Sequence, residues 1–315
     1  MDMSVTEGEL AAIVAGVDAW RERAVSLVPA TPGIVSPSHR SVDSDRWLVS
    51  LDGAAPAHIL KILHPEQAVF FDVAASFEAQ AKAAALGCTP GVLHADPERR
   101  VTVSDYLDGW ATARMNDLRK PGMLAKVLAL KKAIHAGPAF SGGWTVFDRM
   151  RRFDEARRVA GLGGPDDLWW MLDAVADIET AISAAGWDAK PAHADGLASN
   201  VLISPAGEVQ LVDFDEARNV DPFYELGILL NEAFQFESEM LPALEMFEGT
   251  VRPATLARCR LYAVADDLAW GVWGLVMDAT SSRCHFEFLK YANWRLLRCR
   301  MALRHPGFEE RLRTL

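Results

Sequence analysis

The stretch that decides the fold is His193-Ala194-Asp195-Gly196-Leu197-Ala198-Ser199-Asn200, followed after a short spacer by Asp213-Phe214-Asp215. The spacer is built from two β-compatible runs, Val201-Leu202-Ile203-Ser204 and Val209-Gln210-Leu211-Val212, around the turn Pro205-Ala206-Gly207. It predicts a β-hairpin. A hairpin fixes the separation of its two ends, so Asp195, Asn200 and Asp213 are set in a constant mutual relation. Carboxylate and amide oxygens held in this way suit a hard divalent cation, and a further carboxylate suits an attacking hydroxyl.

Downstream and just upstream of this hairpin the pattern is helical, with candidate helices over 122–136, 145–160, 165–185, 225–236, 255–280 and 286–303. The first third differs. Leu10, Ile13, Val14, Val17 and Trp20 recur at helical spacing behind Thr6, predicting an amphipathic N-terminal helix. Trp47-Leu48-Val49-Ser50-Leu51 and His58-Ile59-Leu60-Lys61-Ile62-Leu63 flank the turn signal Asp52-Gly53 and read as paired strands. An Ala-rich helix over 70–86, stopped by Gly87, precedes two further short strands over 91–94 and 101–104. The sequence thus predicts a small β-rich lobe followed by a larger helical one.

The chain has 315 residues, 50% of them apolar, 24% charged and 9% aromatic. That is the make-up of a globular protein with room for two lobes. Cys88, Cys259, Cys284 and Cys299 lie far apart, without the close spacing of a zinc or redox motif, and read as buried thiols. The opening MDMSVTEGEL is acidic where a secretory signal would be basic, and no apolar run approaches a membrane span, so a cytoplasmic location is expected. The net charge of −11 argues against a nucleic-acid partner and favours a small cationic or amphoteric one.

The pattern His-x-Asp-x-x-x-x-Asn, then a hairpin ending in Asp-Phe, resembles the protein-kinase-like phosphotransferases, in the branch that holds choline/ethanolamine kinases and aminoglycoside phosphotransferases. The resemblance runs from about residue 46 to 302 and is most specific over 193–217 and 270–292. It implies an α+β, protein-kinase-like two-lobe fold, with residues 1–107 as the nucleotide-binding lobe and 108–315 as the catalytic and substrate-binding lobe. It implies ATP and Mg2+ as cofactors, Asp195 as the catalytic base, and Asn200 and Asp213 as metal ligands. Lys61, interrupting an apolar strand, would hold the α/β-phosphates and pair with Glu78 on the next helix. Backbone groups near Asp105 and Leu107 would meet the adenine edge. Ser38, with His39 and Arg40, would approach the phosphates. The family usually has a Gly/Asn turn there and this chain does not, which leaves ATP against GTP open.

For the acceptor, Trp270-Gly271-Val272-Trp273 and Phe286-Glu287-Phe288-Leu289-Lys290-Tyr291 are similar to the C-terminal helices of choline/ethanolamine kinases. The resemblance implies a cation box of Trp270, Trp273 and Tyr291 with Glu232 as its acid. Glu216 stands where those kinases have a tyrosine and would favour an amine with N–H donors. Glu225 stands where the family commonly has Asp, as a brace of the catalytic loop, and His193 would support that loop through hydrogen bonds. The expected activity is phosphorylation of a hydroxyl on an amino alcohol such as choline or ethanolamine. An aminoglycoside or sugar acceptor, or a non-catalytic kinase-like binding protein, are the alternatives. Oligomeric state is not readable from the chain.

Overall fold

The computed structural model describes residues 5–30, 43–283 and 286–315. The Ser38, His39 and Arg40 expectation lies outside the described residues, as does Cys284.

The first lobe is built on an antiparallel sheet of β1 (Val25–Pro29), β2 (Ser44–Leu51), β3 (His58–Leu63), β4 (Val92–Asp96) and β5 (Val101–Asp105), in the order β1-β2-β3-β5-β4. The two-residue alternation of side chains gives each strand two distinct faces. Trp47, Val49, Leu51, Leu60, Ile62, Val101 and Val103 are buried on one face against Ile13, Val17 and Trp20 of the N-terminal segment. Each such aliphatic side chain contributes about 1.5–3 kcal/mol on burial. Arg46 and Lys61 are directly opposite each other across β2 and β3, and both reach the opposite face. Asp52 and Gly53 both adopt positive φ, the geometry a tight hairpin turn needs. The helix Val73–Ala85 follows, capped by Asp72 on the Ala75 amide and ended at Gly87 with φ 72°.

The remainder is mainly helical, as the resemblance implies. The helix Pro253–Thr280 runs through its centre, packed by Val146–Val159, Pro222–Ala233 and Phe288–Leu303. Gly274 permits the last of these contacts: a Cβ there would lie 2.9 Å from the Ala292 side chain and 3.1 Å from the Phe288 carbonyl. The helices Glu237–Glu248 and Phe308–Thr314 and the strand Val25–Pro29 have no counterpart in the sequence reading. Trp169 of the Trp169-Trp170 pair is 70% exposed and not core as its neighbours suggest, whereas Cys88, Cys259 and Cys299 are buried. Among the described residues no helix is long and apolar enough to cross a membrane.

Candidate active site

The strand Lys190–Ala192 delivers the chain into the loop that carries Asp195, and pairs antiparallel with Arg218–Val220. Val201–Ile203 and Val209–Leu211 form the hairpin read from the sequence, so both polar ends return to one place. Ala194 sits at φ 58° and Asp213 at φ 69°, left-handed conformations that cost a non-glycine residue about 1–3 kcal/mol each. The strain at Ala194 is held by Glu225, whose Oε1 accepts the Ala194 amide at 2.9 Å. Glu225 also binds Lys131 Nζ at 2.9 Å and His135 Nε2 at 2.6 Å, so the longer acid does brace the loop. Burial alone would raise the Glu225 carboxyl, but Lys131 and His135 outweigh it and hold it well below the usual range. His193 sets its ring nitrogens on the carbonyls of Asp195 and Val212, the support expected of it.

Gly196 lies against the helix Pro222–Ala233, where a Cβ would come within 2.5 Å of the Leu229 nitrogen. The chain then turns so that Asp195 accepts from the Leu197 amide and from Asn200 Nδ2, each at 2.8 Å. Burial, the dominant influence, raises the Asp195 carboxyl above its ordinary value. This is the direction in which a base is tuned toward neutral pH.

Across the junction of the lobes, Lys61 Nζ reaches Asp213 at 2.8 Å, Asp215 at 2.7 Å and Asp43 at 3.1 Å. Burial would lower the Lys61 ammonium, yet Asp213 and Asp215 raise it, so it is a permanent cation. Arg46 binds the second oxygen of Asp213 at 3.1 Å. The carboxylate oxygens of Asp43, Asp213 and Asp215 lie within 4.8 Å of one another. An all-oxygen set of this kind fits Mg2+ in donor chemistry, and Asn200 can add its amide oxygen.

Glu78 is not the partner of Lys61. Its carboxylate pairs with Lys82 one turn along the helix and accepts the Ser141 amide at 2.9 Å, while Asp43, Asp213 and Asp215 hold Lys61. The i,i+4 neighbour within reach wins over a lysine on another element. Asp43 and Arg46 were missed by sequence reasoning. Arg46 was within reach of it, since placing it opposite Lys61 needs only the register of the hairpin around Asp52-Gly53.

At the linker, the Asp105 amide is taken by the Gly91 carbonyl and the Tyr106 amide by Ala57. Of the groups expected at a base edge, the Asp105 carbonyl and the Leu107 amide therefore remain. The Asp105 side chain is exposed.

The acceptor residues do come together, but not as an open cage. Trp270 and Trp273 meet edge-on at 5.3 Å, and Trp273 and Tyr291 at 5.9 Å. The Arg149 guanidinium lies 5.3 Å from the Trp270 ring centre and the Arg295 guanidinium 5.8 Å from that of Tyr291. Protein cations thus already lie over Trp270 and Tyr291. Glu216 is a second correction: buried, it ion-pairs with Arg149 and binds Arg218 Nη1 at 2.9 Å, so its charge is compensated internally. Arg149 and Arg218, each 1% exposed, are not singled out by any pattern in the sequence. Glu232 does lie at the site, accepting the Ala198 amide and feeling the charge of Asp195; burial raises its carboxyl, opposed by Arg298.

Residues 36–262 match the model of the phosphotransferase enzyme family. The chain belongs to that family. No curated protein matches the sequence significantly. Among solved structures, a choline/ethanolamine kinase family protein from Mesorhizobium loti is 22% identical, covering 98% of both chains with a TM-score of 0.78. The choline kinase LicA from Streptococcus pneumoniae is 17% identical over 94% of this chain and 99% of its own, with a TM-score of 0.75. An ethanolamine kinase from Plasmodium vivax is 13% identical over 98% and 92%, with a TM-score of 0.73. These likenesses place the phosphotransferase in the kinase-like fold.

Proposed function

We propose that this phosphotransferase moves the γ-phosphoryl group of ATP to a hydroxyl of a small molecule, with Mg2+. The observation that carries the reading is the convergence of Asp195, Asn200 and Asp213 with Lys61 at the junction of the lobes. Residues 1–107 act as the nucleotide-binding lobe and 108–315 as the catalytic lobe, with the adenine edge at the Asp105 carbonyl and the Leu107 amide.

Asp213 and Asn200 would hold Mg2+, with Asp215 and Asp43 as further oxygen donors, and the ion would offset phosphate charge. Lys61 and Arg46 exchange their carboxylate partners for phosphate oxygens. The acceptor hydroxyl oxygen forms a bond to the γ-phosphorus, the bond to the β–γ bridging oxygen breaks, ADP leaves, and the hydroxyl proton passes to Asp195. Because burial raises Asp195, the acid limb of kcat/KM is shifted upward from the ordinary aspartate value: activity falls as the base is protonated with decreasing pH.

For the acceptor, an amino alcohol finds its support in Glu232, a carboxylate near Asp195. With Trp270 and Tyr291 covered by guanidinium groups, an ethanolamine-type ammonium with N–H donors suits Glu232 better than a trimethylammonium head. The test is ADP release with Mg·ATP against amino alcohols and aminoglycosides, with Asp195→Asn as control. Metal-dependent thermal stabilisation by nucleotide, without turnover of any hydroxyl acceptor, would leave a binding protein instead.

A further inference from the structure

A second group of charges, apart from the nucleotide side, has no role in the transfer described above. Arg149 lies on the helix Val146–Val159 and Arg218 in the strand that pairs beside the catalytic loop. Both are buried, at 1% exposure, and both stack on Trp144, at 5.3 and 5.6 Å from its ring centre. Among the described residues the one carboxylate paired with either is Glu216. Arg149 Nε and Nη1 and Arg218 Nε have no protein acceptor among the described residues. Both guanidinium groups feel the charge of Asp195.

Buried N–H donors are normally satisfied, and a buried cation sharing one carboxylate with another is costly unless more anion is at hand. Trp144, over which these arginines lie, also lines a cleft of about 550 Å³, with Asp72, Val73, Gly142, Gly143 and Arg152. Arg152 stacks on the same ring at 5.5 Å. Planar guanidinium forks match an oxyanion through paired N–H bonds, which an ammonium cannot use at all.

We propose that the acceptor carries an oxyanion, a carboxylate or a phosphate monoester, beside its hydroxyl, and that Arg149 and Arg218 seat it. The inference rests on the kinase reading above and sharpens its acceptor: with an ammonium at Glu232 and a carboxylate at the arginines, the substrate class is the hydroxy amino acid.

The experiment measures ADP release by the wild-type chain with Mg·ATP for matched acceptors. These are ethanolamine, serine, serinamide, the one-carbon-longer homologue of serine, glycerol 3-phosphate, choline and an aminoglycoside. At least one oxyanion acceptor should exceed ethanolamine about 100-fold in kcat/KM, and replacing its carboxylate by a carboxamide should remove that gain. Serine-type against glycerol 3-phosphate turnover tells which oxyanion is used. Arg149→Met should raise the acceptor KM about 100-fold and leave the KM for ATP unchanged. Glu216→Gln, which keeps the shape and releases both guanidinium groups, should lower the acceptor KM. Turnover confined to ethanolamine, choline or the aminoglycoside overturns the oxyanion seat and leaves the kinase standing. Silence across the panel while nucleotide still stabilises the chain with Mg2+ overturns the seat and leaves a nucleotide-binding protein in place of the kinase. Silence together with loss of that stabilisation overturns the kinase reading itself.

Discussion

The two sides of the candidate active site carry the same kinds of group in opposite proportion. On the nucleotide side, two cations, Lys61 and Arg46, face three carboxylates, Asp43, Asp213 and Asp215. On the acceptor side, Arg149 and Arg218 share Glu216. A surplus of oxygen donors is what a hard metal ion uses, and a surplus of N–H donors is what an oxyanion uses. The difference also lies in burial, since the nucleotide cluster keeps partial solvent access while both arginines are 1% exposed. The first can exchange partners on binding nucleotide, whereas the second is built before any ligand arrives.

Asp195 stands between these sides, and its loss tests the comparison most severely. Asp195→Asn should lower kcat by about 10³-fold, within the span of general-base contributions, while nucleotide-dependent stabilisation persists. Equal loss of nucleotide binding would mean that the two sides are not separable.

Next in size is Glu225, which ties the catalytic loop to the helices beneath. Glu225→Gln leaves Lys131, at 2% exposure, without its counter-charge and should cost about 3–5 kcal/mol, read as a fall in chemical-denaturation stability. The folded-state carboxyl lies below its ordinary value of 4.5, so this contribution is complete above that pH and is lost as pH falls below it. Denaturation of wild type and Glu225→Gln across this window should converge toward acid. A constant gap would break the assignment.

On the nucleotide side, Lys61→Met should raise the KM for ATP more than Arg46→Gln does, because Lys61 faces three carboxylates and Arg46 binds closely to one. About 100-fold and about 10-fold are the expected increases, from the worth of charged hydrogen bonds. A larger effect at Arg46 would place the phosphates nearer β2. The smallest effect belongs to the exposed pair of Arg21 and Asp18: Asp18→Asn should change stability by less than about 0.5 kcal/mol in thermal melts.

Much of the nucleotide side was legible because its residues are punctuation in the chain. Asp195, Asn200 and Asp213 stand at the ends of a hairpin that any reader of alternating β runs would draw, and Lys61 interrupts an apolar strand. Glu78 misled because a helix acid close in sequence to Lys61 is held instead by its own neighbour Lys82. Arg149 stayed hidden in a helix rich in arginine, where nothing local separates the one that turns inward from those that remain in water.

By itself the sequence determined the order of the lobes, the hairpin and the groups on it, since these follow from periodicity and turn chemistry over short spans. Only the tertiary structure decided which charge meets which. Partner choice between Lys61 and Asp43, or Arg149 and Glu216, depends on how helices and strands remote in sequence pack, and on burial that makes one ion pair strong and leaves another screened in water.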